Sequence, residues 1–436
     1  MAKKTVGSGV SAQATPGPNL SSSIDELLLA ATARGDGTLR TGRYVVTFKE
    51  GAGSPTDNLT SLGLRTADAR DFADQSLEIA DVGDAHAIVL PEIGVAVVSN
   101  LGMQTAGLSI EAEAASDSAI QTIEDEYFVF AQQETSDYLR GFLKATEAII
   151  AGLELDQMRK EELDFEAEVA GATWGLVTCR IPQSSRSGAG VKVAVLDTGM
   201  DLGHPDFAGR PIVTSSFVGQ PVQDLHSHGT HCIGTACGPK APAGSIPRYG
   251  IAHSASIFVG KVLSNSGNGS SASVLAGMNW AIANGCAVIS MSLGSQSPVQ
   301  AAYTAAGQAA LNRGCLIIAA AGNASSNTGA PANSPTIMSV GSLDQTLVPS
   351  NFSNFGKMEI AAPGRDVFSS VPRPTRYGTK SGTSMATPHV AGCAALWAQT
   401  SPSLRGQALW NRMLQAARPL PFPQAKVGRG LVQAPA

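Results

Sequence analysis

The chain has 436 residues, 43% of them hydrophobic and 15% charged, which is too long for one ordinary core and folded rather than disordered in composition. Its net charge of −5 is unevenly divided: residues 1–170 carry 12 basic and 28 acidic side chains (−16), and residues 171–436 carry 18 and 7 (+11). The basic residues are scattered singly, which argues against nucleic-acid binding, and the absence of an apolar run of about 18 residues argues against a membrane span.

Residues 1–42 read as a flexible leader with a short apolar helix around Ile24–Ala33. The first twenty residues are Gly/Ser/Pro-rich and lack the apolar stretch of a Sec signal, so the expected location is the cytoplasm or a non-Sec export route. Residues 43–133 predict a small α+β domain. A strand over 43–49 alternates β-branched and aromatic residues, further strands are expected at 86–90 and 93–98, a helix over 103–120 and a closing strand over 121–130. Residues 134–172 are expected to form an acidic helical linker in which Leu139, Phe142, Leu143, Ile149, Ile150 and Leu153 recur near a helical period, either packed on a neighbour or solvated.

From Val191 the pattern changes. Continuous apolar runs at 191–196, 256–263, 286–291 and 315–320 have strand length, and Ala/Gly-rich helical segments at 228–237, 271–284, 298–312 and 385–398 separate them. This predicts an α/β domain with a parallel sheet covered on both faces, whose ligands bind beyond the carboxyl ends of the strands. All six cysteines lie in this half without C-x-x-C spacing, so a zinc site is not expected. Cys286 and Cys315, in apolar runs, read as core thiols.

Four polar groups fall at those strand ends or helix starts. Ser384, in Gly382-Thr383-Ser384-Met385-Ala386-Thr387-Pro388-His389, opens a small-residue helix, where a hydroxyl can meet a carbonyl while the backbone N–H points at a developing oxyanion. Alone it would be a helix cap. Asp197, before Thr198-Gly199, can orient an imidazole or cap a turn. His228, in His228-Gly229-Thr230-His231, can take a proton near neutral pH, and the i, i+3 histidine spacing without a glutamate argues against zinc. Asn323, in Ala321-Gly322-Asn323, can donate to an oxyanion or be an ordinary loop residue.

The order Asp197, His228, Asn323, Ser384 in these four motifs resembles the subtilisin-like serine proteases, the subtilases, over roughly residues 173–420 of a peptidase domain taken as 173–436. The resemblance implies a serine endopeptidase in which Asp197 orients, His228 is general base and acid, Ser384 is the nucleophile and Asn323 completes the oxyanion hole. It also implies polypeptide substrates bound by strand addition between Ser292-Leu293-Gly294 and Ser266-Gly267-Asn268-Gly269. Gly329 would lie at the base of an S1 pocket with room for a large apolar side chain, and seven acidic residues are too few to favour paired basic sites. Cys232, after His231, is similar to the thiol-containing proteinase-K-like and thermitase-like branches. No cofactor is implied as required. Asp206 matches a family calcium ligand and Glu359 lies near another, although the loop 238–250 has no carboxylate.

Residues 43–133 resemble the inhibitor-type propeptide of the same family, which implies a folding chaperone and intramolecular inhibitor, or alternatively a retained regulatory domain. Two other functions use the same scaffold. A leader-peptide-processing protease or peptide ligase (macrocyclase) would keep the triad and need a shielded acyl-enzyme, and a non-catalytic interaction protein would not need the four groups.

Overall fold

The computed structural model describes residues 20, 22–34, 39–72, 84–108, 118–131 and 171–436. Seven parallel strands form the central sheet of the larger, α/β unit, in the spatial order Ile360–Pro363, Met338–Leu343, Leu316–Ala320, Val288–Met291, Lys192–Asp197, Ser256–Lys261, Ile212–Ser216. The first strand in the chain, Lys192–Asp197, is central. The next two in sequence lie on one side of it and the remaining four on the other, so the order reverses at its edge, where a crevice opens beyond the carboxyl ends.

Alternation along the strands assigns the two faces. Val193, Val195, Ile257 and Val259 pack with the helices His228–Cys237 and Thr383–Thr400. Ala194, Leu196, Phe258 and Ile289 pack with the helices Ser271–Ala283 and Ala301–Asn312. Both faces are covered, so the strands read as apolar runs rather than as alternating ones.

The N-terminal unit is a mixed sheet in which Arg40–Phe48 pairs antiparallel with Val95–Val98 and Ile120–Ala131, and Ala87–Leu90 joins Val95–Val98 to Thr66–Asp68. One face (Val46, Phe48, Val89, Val98) packs under its own short helices. The other (Val45, Ile88, Leu90, Val95, Val97) joins the core beneath the helices Ser271–Ala283 and Ala301–Asn312. The two units therefore share a hydrophobic core.

The short helix expected around Ile24–Ala33 is Ile24–Arg34, and Leu20, Ile24 and Leu27 are buried, with Ile24 and Leu27 packed around Phe128. The helix expected over 103–120 is instead Asn100–Ala106, capped by Ser99 and ended by Gly107 in the left-handed region (φ +63°). Residues 109–117 of that segment, residue 21, the first nineteen residues, residues 35–38 and 73–83 and all of the acidic linker except Gly171 and Ala172 lie outside the described residues.

Candidate active site

Asp197 is the last residue of its strand, and its Oδ1 meets His228 Nδ1 at 2.7 Å, with both side chains buried. The pair is held from both ends. Thr198 N–H donates to the same Asp197 oxygen at 2.7 Å, and Thr198 Oγ accepts from Gly229 N–H at 2.8 Å, which joins strand end to helix start.

Asp224 organises this junction. Its Oδ1 accepts from Thr198 Oγ and from the backbone N–H groups of His226 and Ser227, and its Oδ2 accepts from Thr230 N–H and Oγ. Those bonds hold Ser227 in the left-handed region (φ +79°), which aims His228 at the crevice. Sequence reasoning missed Asp224; its signal is an acidic residue placed just before a helix of very small residues. Beneath it, fully buried Lys261 donates to the Thr198 carbonyl and to Asn265. Burial pushes its ammonium down to about 8, against the opposing pull of Asp224 and Asp197.

Ser384 is the second residue of the helix Thr383–Thr400, next to Gly382. Its Oγ donates to the Ser292 carbonyl at 3.0 Å, and Ser292 Oγ donates in return to the Ser384 carbonyl at 2.8 Å. The Cys232 thiol connects the two halves, lying 3.9 Å from His228 Nδ1 and donating to the Ser384 carbonyl at 3.6 Å. Burial and the Asp197 charge raise that thiol well above its usual range, so it is a packed neutral group. His228 Nε2 is buried and has no hydrogen-bond partner among the described residues.

Asn323 follows the strand Leu316–Ala320, and its Oδ1 accepts from both Thr383 N–H and Thr383 Oγ at 2.9 Å. This fixes the amide so that Nδ2, also buried, is left without a partner among the described residues. The geometry supplies an oriented imidazole, a hydroxyl at a helix start and an unused amide donor, the components of acyl transfer.

The walls beside this centre are occupied by the chain itself. Phe128–Ala131 runs as the middle strand between Asn268–Ser270 and Leu293–Gly294, and Ala131 N–H donates to the Gly267 carbonyl at 3.0 Å. Gly267 has φ +80°, and a Cβ there would come within 2.7 Å of His226, so only glycine fits. At Gly329 a Cβ would meet the Ser295 carbonyl at 2.4 Å, so the missing side chain serves the Ser295–Ala330 bridge between two loops.

Both carboxylates considered for calcium accept bonds from within the fold. Asp206 accepts from the phenols of Tyr249 and Tyr377, and Glu359 from Lys357 at 2.6 Å and from Ser339. Both oxygens of Asp206 and the Oε2 of Glu359 thus accept from internal donors. All six cysteines are free and buried. Among the described residues no helix is long and apolar enough to cross a membrane.

Residues 188–430 match the subtilase family. The chain is 40% identical over 297 residues to an alkaline protease of Shouchella clausii, covering 66% of this chain and 76% of that one. It is 42% identical over 270 residues to subtilisin Savinase of Lederbergia lenta, covering 60% and 97% respectively. To subtilisin amylosacchariticus of Bacillus subtilis subsp. amylosacchariticus it is 39% identical over 240 residues, 53% of this chain and 61% of that one.

Proposed function

This chain belongs to the subtilase family and is a subtilisin-like serine endopeptidase, a hydrolase, and from that premise we propose that Asp197, His228 and Ser384 carry out the hydrolysis of polypeptide substrates. Ser384 Oγ attacks the substrate carbonyl while His228 Nε2 takes its proton and later returns it to the leaving amine. Asp197 holds Nδ1–H and so keeps Nε2 bare. The oxyanion is received by Asn323 Nδ2 and by the Ser384 N–H, which at the second position of a helix has no intrahelical partner. Expulsion of the amine leaves an acyl-enzyme on Ser384, which water activated by the same imidazole hydrolyses.

The observation that carries this reading is the 2.7 Å Asp197–His228 bond with His228 Nε2 and Asn323 Nδ2 both unpartnered among the described residues. Attack requires Ser384 Oγ to leave the Ser292 carbonyl. A substrate N–H that adds to the wall Ser292-Leu293-Gly294 supplies the replacement donor. Replacing Ser384 by alanine reduces peptide hydrolysis to background, and a variant with normal proteolysis refutes the assignment.

The N-terminal domain is proposed to be a prosegment, a folding chaperone and intramolecular inhibitor. Its strand Phe128–Ala131 sits between the two walls a substrate strand would use. Its acidic side chains accept bonds from the N-termini of two helices of the larger unit. Glu124 accepts from Ala301 and Ala302 N–H at 2.9 and 3.1 Å, where Gln300 gives no side-chain cap, and Glu126 accepts from Ala272 N–H at 3.1 Å. The excess of acidic residues is thus used partly on helix N-termini and not only on basic side chains. N-terminal sequencing of the active form tests this: the first residue lies beyond Ala131 if the domain is a prosegment.

A further inference from the structure

We propose that the helix Ile24–Arg34 is a strap that holds the strand Phe128–Ala131 in the cleft, so that the active site is released only when the helix lifts. The helix lies outside residues 43–133, and the proposal rests on the reading of the strand as an inhibitor. The strap is built locally. Ser23 N–H donates to Glu26 Oε2 at 2.8 Å, and Glu26 N–H donates back to Ser23 Oγ at 3.3 Å, which closes the start of the helix on itself. Ile24, Leu27, Leu28 and Ala31 then recur at i, i+3, i+4 and i+7, one stripe of a helix, while Asp25, Glu26 and Leu29 are exposed. The stripe packs with Phe128 and Phe130 of the cleft strand and with Val218 of the larger unit, and Leu27 and Phe128 are buried there.

Alternation along the strand turns this contact into a clamp. Val129 belongs to the core that includes Leu263 and Leu293, whereas Phe128 and Phe130 belong to the cluster under the helix. The backbone between them is paired along both edges, with Asn268–Ser270 and with Leu293–Gly294. The strand is therefore enclosed by a wall on each edge, the core on one face and the helix on the other. Lifting it out exposes apolar side chains on both faces, including those of the stripe itself. A second tie precedes the helix: Leu20 is buried in the same core as Val129, and its carbonyl accepts from Arg43 Nη1 at 3.1 Å. The same guanidinium holds Glu126, two residues before Phe128, so strap and strand are fastened to one side chain.

The test uses the full chain carrying Ser384→Ala, which lacks the nucleophile, and reads amide hydrogen exchange over Phe128–Ala131. Leu27→Ala should speed that exchange by about tenfold or more, since it removes a fully buried side chain from the stripe. Exchange in the strand Ala87–Leu90, on the far side of the same sheet, should stay as it is. Leu29→Ala, on the exposed face, should change neither. With Ser384 intact, Leu27→Ala should raise the initial rate of fluorophosphonate labelling in parallel with the exchange. If Leu27→Ala does not fold, Val218→Ala removes the seat on the larger unit and should act in the same direction with a smaller factor. Unchanged exchange over Phe128–Ala131 in whichever of these variants folds overturns the strap, as does an acceleration shared equally by Ala87–Leu90. Faster exchange without faster labelling instead refutes the strand as an inhibitor, so failure of the strap and failure of the prosegment reading are distinguishable.

Discussion

Ser384 and Ser292 are bonded to each other twice, hydroxyl to carbonyl in each direction, at 3.0 and 2.8 Å. The first bond occupies the Ser384 hydroxyl; the second ties the first turn of its helix to the end of the strand Val288–Met291. Ser292→Ala removes only the second. The expected loss is about 1 kcal/mol of stability, as for one buried hydrogen bond, with a fall in kcat of up to about tenfold from looser positioning. Denaturant unfolding together with steady-state kinetics checks it, and an unchanged kcat would show that this tie does not position Ser384.

Asn323→Ala removes the amide that Thr383 orients. The expected fall in kcat is on the order of 10²–10³ with little change in KM, a range carried over from oxyanion-donor removal in subtilisin, a relative. Thr383→Val keeps the amide and the backbone N–H bond to its Oδ1 but removes the hydroxyl bond, so a smaller loss, up to roughly tenfold, is expected in the same assay. A change confined to KM in either variant would place the amide in ground-state binding instead.

Glu126 ties the two units together. Burial pushes its carboxyl up, but the Arg43 guanidinium, bidentate at 2.6 and 2.8 Å, and the surrounding hydroxyls prevail and hold it below the usual carboxylate range. A carboxylate depressed in the folded state stabilises the fold fully above its unfolded value, about 4.3, and that contribution is lost as pH falls through the folded value. Glu126→Gln leaves Arg43 buried and unpaired, which costs several kcal/mol, on the order of 3–5. The intact chain should then label with a fluorophosphonate at least about tenfold faster than the parent at neutral pH. Equal rates would mean that Glu126 does not hold the strand in the cleft.

Two buried histidines make the fold acid-sensitive. Burial holds His231 down to about 3 and His389 down to about 4, each with one ring nitrogen bonded to a backbone carbonyl. The unfolded chain takes up these protons near pH 6.5 and the folded chain only well below it. Stability therefore falls as pH drops from 6.5 towards 4, by up to about 1.4 kcal/mol per pH unit for each histidine. Thermal unfolding of the Ser384→Ala protein between pH 7 and 5 should show the decline, and His389→Gln should flatten it. A midpoint independent of pH in that range would contradict the account.

The fold was most legible where strands are buried on both faces. The run 191–196 anticipates Lys192–Asp197, and 315–320 anticipates Leu316–Ala320, each within one residue. The strand Ile212–Ser216 was not legible because it is an edge strand with Val213 and Thr214 exposed, and Met338–Leu343 carries Ser and Gly in a mixed pattern. The wall strands Asn268–Ser270 and Leu293–Gly294 are three and two residues long, and they exist as strands through pairing with a segment more than a hundred residues earlier in the chain. No local pattern encodes that. At the site, the residues proposed to react stood out by their motifs, whereas Asp224, Thr383 and Lys261 act through bonds to residues up to 63 positions away, which a linear reading does not reveal.

The central claim is that Ser384 is activated by an imidazole held on Asp197. The most direct measurement is fluorophosphonate labelling of the active protein followed by peptide mapping. The account predicts a single adduct on Ser384, strongly slowed in His228→Ala and absent in Ser384→Ala. An adduct on another residue, or peptide hydrolysis that persists once Ser384 is fully modified, would contradict it.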